Sequence, residues 1–372
     1  MGNKSIIGVI LTTTIAIILI ATLIVPVIDN ATTNPAPGWV YDDYRAAPVN
    51  CEVSGAFEIV TYDGADYIHA KDVGEGTIDG ETYTVSKADL AVFLLWGQSN
   101  SMYLNADPEQ VNEDCAPLKT RAYFYGIDTE EAYRPIISWK SGSTAVYPEN
   151  GIFLPTCAPD GKYLIGNIEA PFSSVYCDNL SNYRPYIINA GVGGMSLQSF
   201  LPGTIYNTNT HNIWNRAIDQ IDETKFNVHY AGWIMSQGEA NSHTPIDTYI
   251  EYFDEVTADI ADSFDLTKGV IIETRDGNAR EAQGVIASTH SNVIIGSSAS
   301  ASFTVANGCL AEDGVHYTQK GDDIVGQESA RAWLSFTQPA IVDYKGLLTV
   351  IVPLLIIAVV VTSARILLRA DD

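Results

Sequence analysis

The chain has 372 residues, 46% of them hydrophobic and only 17% charged, and its 20 Lys and Arg stand against 45 Asp and Glu for a formal charge of −25. A disordered acidic chain carries far fewer apolar residues, so most of this one is expected to fold. A surface this negative repels phosphate and no basic stripe offsets it, which excludes nucleic-acid binding; the length allows one large or two ordinary domains.

Taken in chain order, residues 6–28 are apolar apart from Thr12, Thr13, Thr14 and Thr22. About 20 such residues span a bilayer as a helix. Lys4 precedes the stretch and Asp29 follows it. It exceeds the roughly 7–15 apolar residues of a cleaved signal peptide and lacks a small-residue cleavage site, so an uncleaved anchor is expected. Residues 346–363 repeat the pattern, broken only by Thr349 and Thr362 and followed by Arg365 and Arg369. Basic flanks favour the cytoplasmic side, which puts both tails inside and residues 29–345 outside, with Lys345 a contrary signal. The alternative, a buried core helix, usually shows a polar face, and neither stretch has one. The exterior part holds 17 of the 20 basic and 43 of the 45 acidic side chains, a formal charge of −26. All five cysteines (Cys51, Cys115, Cys157, Cys177 and Cys309) lie there too, an odd count without any C-x-x-C pair, so a zinc knuckle is not expected.

Residues 30–50, with Pro35, Pro37, Gly38 and Pro48, read as a stalk. Residues 51–90 read as a small β element, with a hairpin at Asp79-Gly80 and an Asp63-Gly64 pair after an earlier β-like run. From residue 91 the style changes. Continuous apolar runs at 91–96, 186–190, 229–235, 269–272 and 293–295 suit strands buried on both faces. Helical periods separate them: Ile213, Trp214, Ala217, Ile218 and Ile221 share one face, as do Ile246, Tyr249, Ile250, Phe253, Val256 and Ile260. A last helix is expected near 322–336. Strands alternating with amphipathic helices predict an α/β fold with a parallel sheet covered on both faces. Residues 101–172 break this rhythm and read as a long insertion near the site, whose Tyr123, Tyr125, Trp139 and Tyr147 could offer a stacking surface.

In such a sheet, ligands bind beyond the carboxyl ends of the strands. Four segments fall there or just before the last helix. Gly97-Gln98-Ser99-Asn100 puts a serine on a tight strand-to-helix turn, exposed for attack on a carbonyl or merely capping the helix. Gly191-Val192-Gly193-Gly194 lets backbone N–H groups approach a ligand, or makes a turn. Ser236-Gln237-Gly238-Glu239 follows an apolar strand abruptly: Gln237 could donate to an oxyanion and Glu239 could orient a base, or the segment is a polar loop. Asp313-Gly314-Val315-His316 sets a carboxylate three residues from an imidazole, the spacing that fixes a histidine tautomer, or it is a helix-entry loop. His243 lies near Glu239 in sequence, as a pocket or loop residue; His69, His211, His229 and His290 have no motif.

Together the four blocks resemble those of the SGNH hydrolases. The Gly-Gln-Ser-Asn and Gln-Gly-Glu forms are similar to the sialic-acid O-acetylesterase and acetyl xylan esterase branch, as is Arg280-Glu281-Ala282-Gln283 before the last strand. The third block carries Gln237 where many SGNH enzymes have Asn, which is that branch's own variant. The resemblance covers roughly residues 91–336. It implies a three-layer α/β/α sandwich and a serine esterase needing no metal or cofactor. In that reading Ser99 is the nucleophile and His316 the base, then the acid. The backbone N–H groups of Ser99 and Gly194, with the Gln237 side chain, form the oxyanion hole. Asp313 and Glu239 compete for the role of triad acid. The resulting expectation is a membrane-anchored carbohydrate O-acetylesterase with an acetylated glycan as substrate. Its parts are an anchor (1–29), the stalk, the β element, the esterase domain (91–338) and a second membrane helix with a short tail (339–372). The rivals are a surface carbohydrate-binding or adhesion protein, and a virion envelope protein, on the same fold.

Overall fold

A computed structural model describes residues 38–102, 107–111, 122–129, 132–135, 152–160, 162–180 and 183–337. The two apolar stretches proposed as membrane helices lie outside these residues. Among the described residues no helix is long and apolar enough to cross a membrane.

The five buried runs become five parallel strands. β8 (Ala88–Gly97) lies between β12 (Tyr183–Asn189) and β13 (Phe226–Ser236), and β14 (Gly269–Ile272) and β15 (Val293–Ser297) follow β13 outward. Period-two alternation decides where each side chain goes. On β8, Leu90, Val92, Leu94 and Trp96 face one core, while Ala91, Phe93 and Leu95 face the other. The first face is covered by α2 (Ile205–Ile218), α3 (Ile246–Phe264) and α4 (Gly277–Thr289), through residues such as Trp214, Phe253 and Ile286. The second is covered by α1 (Glu169–Asn179) and α5 (Gln319–Thr337), through Phe172, Tyr176 and Trp333. Each fully buried Leu, Val or Phe contributes about 1.5–3 kcal/mol. The result is a three-layer α/β/α sandwich.

The insertion reading needs correction. β9 (Tyr123–Thr129) joins the sheet parallel to β12, and β10 (Ala132–Pro135) and β11 (Ile152–Pro155) pair with it antiparallel. Tyr123 and Tyr125 are therefore buried in the core rather than offered to a sugar. Their alternation with polar neighbours is weak, so the sequence hid their strand. Trp139 and Tyr147 lie outside the described residues.

The stalk reading is also corrected over its second half. β1 (Trp39–Val40) and β2 (Tyr44–Ala46) belong to the small β element with β3 (Val53–Gly55), β4 (Phe57–Tyr62), β5 (Ala65–Ala70), β6 (Gly74–Ile78) and β7 (Glu81–Ser86). They form one sheet in the order β1-β7-β6-β3 and another in the order β2-β5-β4. Trp39 is buried edge-on against Phe57, with the Arg45 guanidinium over its ring. Both Asp-Gly pairs close hairpins, with positive φ at Asp63, Gly64, Asp79 and Gly80 as a tight hairpin turn requires. The element is tied to the sandwich by the buried Arg184, which donates to Asp43 at 2.6 Å, and by the Tyr123 hydroxyl, which donates to Asp42 at 2.6 Å.

Candidate active site

The strand ends build the site. At Gly97 the backbones of β8 and β13 close together: a Cβ there would stand 2.0 Å from the Ser236 carbonyl oxygen, so only glycine fits. The next N–H, that of Gln98, donates to that same oxygen at 2.9 Å. The chain then turns through a short 3-10 segment, Ser99–Ser101. The turn is pinned from below. The Ser101 hydroxyl donates to the Gln98 carbonyl at 2.7 Å, and the amides of Asn189 and Asn167 donate to the Ser101 carbonyl at 2.6 and 3.3 Å.

Ser99 lines a cleft of about 540 Å³ together with Gln98, Met102, Gly193, Gly194, Glu239, Ala240, Asp313, Val315 and His316. All four motif blocks thus supply side chains or glycines that meet in one place, the third block through Glu239. Gly194 has φ +72° and open space where a side chain would stand, leaving its backbone accessible from the cleft.

His316 and Asp313 form a local pair. Oδ2 of Asp313 lies 2.6 Å from Nδ1 of His316, and Oδ1 accepts the backbone N–H groups of Val315 and His316 at 2.9 and 3.0 Å. The hydrogen bond from His316, followed by those two N–H groups, pulls the Asp313 carboxyl down to about 2. An ionised Asp313 accepts, so Nδ1 donates and Nε2 is left as the basic nitrogen.

Glu239 has different partners. Its Oε2 accepts from Gln98 Nε2 at 2.5 Å and its Oε1 from Asn100 Nδ2 at 2.9 Å. Burial pushes its carboxyl above the usual range, against the pull of the Asn100 hydrogen bond and of the Arg275 and His316 charges. Asn100 also reaches the histidine loop: its Oδ1 accepts from Tyr317 N at 3.1 Å and its Nδ2 donates to the Val315 carbonyl at 3.5 Å. Arg275 holds the loop from the other side, donating to the Gly314 carbonyl at 2.6 Å. Asn100 stood in the first motif block without a role of its own, and Arg275 was missed by sequence reasoning. Asn100 stands directly after the serine, and Arg275 lies just past a strand end, so both positions were legible as candidates.

Gln237 is not brought to the cleft. Its amide is buried, with Nε2 donating to Asn241 Oδ1 at 2.7 Å and Oε1 accepting from the Tyr249 hydroxyl at 3.0 Å. The side chain expected to donate to an oxyanion thus has its amide engaged by Asn241, the Met195 carbonyl and Tyr249. Asn241 Oδ1 in turn accepts from Leu197 N at 2.7 Å, which ties the third block to the segment after Gly194. Gln283, from the motif on α4, braces the same turn by donating to the Gln237 carbonyl at 2.5 Å. His243 is exposed and does not line the cleft. His69, His211, His229 and His290 each sit against carboxylates elsewhere.

Residues 89–335 match the family of carbohydrate esterases described as sialic acid-specific acetylesterases. The chain belongs to this family. It is a carboxylic ester hydrolase of the carbohydrate acetylesterase kind. Among solved structures it is similar to a protein from Arabidopsis thaliana, at 15% identity over 67% of this chain and 98% of that one, with a TM-score of 0.45. It is similar also to NanS, at 14% identity over 68% and 98%, TM-score 0.47. A third is a carbohydrate acetylesterase from Xanthomonas citri, at 16% identity over 80% and 72%, TM-score 0.41. No curated protein matches the sequence significantly.

Proposed function

We propose that this esterase works through an acyl-serine intermediate on Ser99, with His316 as base and acid and Asp313 as the triad acid. One observation carries the reading: Ser99 and a histidine whose Nδ1 is held by Asp313 line the same cleft as Gly193 and Gly194. In the first half-reaction Ser99 Oγ attacks the acetyl carbonyl and His316 Nε2 takes its proton. The oxyanion is met by the backbone N–H groups of Ser99 and Gly194. Collapse breaks the bond to the sugar oxygen, which leaves with the proton from His316. Water then attacks the acetyl-serine, His316 takes its proton, and acetate departs as Ser99 recovers its hydrogen.

Glu239 serves as a positioning residue. It accepts from both Gln98 and Asn100, the residues on either side of the nucleophile, and through Asn100 it bears on the histidine loop. The substrate is an O-acetylated sugar. The domain is carried outside a membrane by the apolar segments at 6–28 and 346–363, whose length and basic flanks support anchoring.

The test uses the full-length chain with p-nitrophenyl acetate and an acetylated sugar. Ser99→Ala is expected to lower kcat by at least about 10⁴-fold. Activity within tenfold of the parent removes Ser99 as nucleophile. Sugar binding by a parent chain that hydrolyses neither ester favours the adhesion rival. Digestion of intact cells or particles tests the topology: cleavage of the central domain is expected, and its protection rejects the outward orientation.

A further inference from the structure

The cleft has two sides of different origin. Asp313, Val315 and His316 come from the loop before α5; Met102, Gly193 and Gly194 come from the segments after β8 and β12. In an acyl transfer run by His316, the leaving oxygen must receive its proton from that imidazole, so the sugar occupies the first side. The oxyanion points to the backbone N–H groups. The oxyanion, at the Gly194 N–H, and the acyl chain, beside Met102 and Gly193, then share the second side.

A methyl-sized atom built on Gly193 would stand 3.9 Å from the Ser99 Cβ and 3.3 Å from the Met102 Sδ. The Cβ of the nucleophile and the thioether therefore both lie within 4 Å of one point on the cleft side of Gly193. Met102 is 5% exposed, so its side chain closes the cleft floor rather than swinging free. Its N–H donates to the Ser99 carbonyl at 3.1 Å, which makes this wall part of the nucleophile turn itself.

We propose that Met102, packed against Gly193, is the specificity-determining wall that limits the acyl group to acetyl. The proposal rests on the acyl-serine reading above. In this reading the acetyl methyl sits beside Ser99 and Gly193, and a propionyl or butyryl chain is directed onto Sδ. Leucine at 102 keeps nearly the same volume and the same limit. Alanine opens the wall. A methyl at Gly193 stands 3.3 Å from the thioether and takes space beside it, and Gly193 lacks the positive φ that would strain an alanine.

The experiment measures kcat/KM of the full-length chain for p-nitrophenyl acetate, propionate and butyrate. In Met102→Ala the butyrate-to-acetate ratio is expected to rise at least about tenfold, the scale of discrimination by one or two methylenes. In Met102→Leu it stays within about threefold of the parent. In Gly193→Ala the propionate-to-acetate ratio falls by about threefold or more. An unchanged ratio in a Met102→Ala chain with the parent's circular dichroism spectrum overturns the proposal. Should Met102→Ala fail to fold, an unchanged or raised propionate ratio in Gly193→Ala overturns it instead. Failure of the serine reading is seen separately, as retained hydrolysis in Ser99→Ala, whatever the chain-length ratios show.

Discussion

The 313–316 loop and the 237–241 turn each bring a carboxylate to the same cleft, and their surroundings set the two apart. Asp313 is half exposed, faces the imidazole directly, and is held down at about 2 by that contact. Glu239 faces two neutral amides, and burial pushes its carboxyl up. A carboxylate that must balance an imidazolium needs the first arrangement; one that must hold two loops in register needs the second. Residue type alone left either acid open for the triad, and the roles proposed above follow from these surroundings.

The comparison can be broken by mutation, starting with the largest effects. His316→Ala is expected to lower kcat by at least about 10⁴-fold, matching Ser99→Ala, with the double variant no worse than either. Asp313→Asn should lower kcat by about 10²–10⁴-fold with only a modest fall in melting temperature, because it disturbs the tautomer and charge of His316 on an exposed loop where solvent screens the pair. Glu239→Gln is expected to show the opposite balance. Its new NH₂ faces the amide of Gln98 or Asn100, leaving one donor unmatched at a cost of about 1–3 kcal/mol in denaturant unfolding, with a loss of kcat of only about tenfold. Should Glu239→Gln abolish turnover while Asp313→Asn leaves it intact, the two assignments are exchanged.

The same pair predicts opposite pH signatures. The folded pKa of Asp313 lies below its ordinary 3.8, so the stability it contributes is present above that value and lost as pH falls toward about 2. The folded pKa of Glu239 lies above its ordinary 4.5, so the folded state binds the proton more tightly and stability declines as pH rises through that range. Denaturation midpoints measured across acidic pH should lose the first slope in Asp313→Asn and the second in Glu239→Gln.

A smaller effect concerns the sugar. Both carboxylates lining the cleft disfavour a second anion, and salt screens them. For an acetylated sugar bearing its own carboxylate, KM should fall a few-fold between about 0.01 and 0.5 M salt, while that for a neutral acetylated sugar stays nearly constant.

Much of the fold was legible because its signals are local. The five buried runs ended at turn residues, the 246–264 helix carried a full apolar face, and Asp79-Gly80 closed the expected hairpin. The motif blocks were legible for the same reason. What escaped depends on contacts between distant residues. Asn100 joins Tyr317 across 217 positions, and no spacing rule announces such a bond. The direction of Gln237 was hidden because an amide donates equally well to an oxyanion or to Asn241; only packing against Tyr249 decides. Trp39 stood in a proline-rich segment that hid a strand, although a large aromatic there was itself a sign of burial.

The most direct test is a rapid acid quench of the full-length chain mixed with p-nitrophenyl acetate, followed by peptide mass analysis. The account predicts an acetyl group on the peptide bearing Ser99 within the first turnover, absent from Ser99→Ala. Release of acetate with no acetylated peptide under conditions where deacylation is rate-limiting, or acetylation at another side chain that turns over at the catalytic rate, would contradict it.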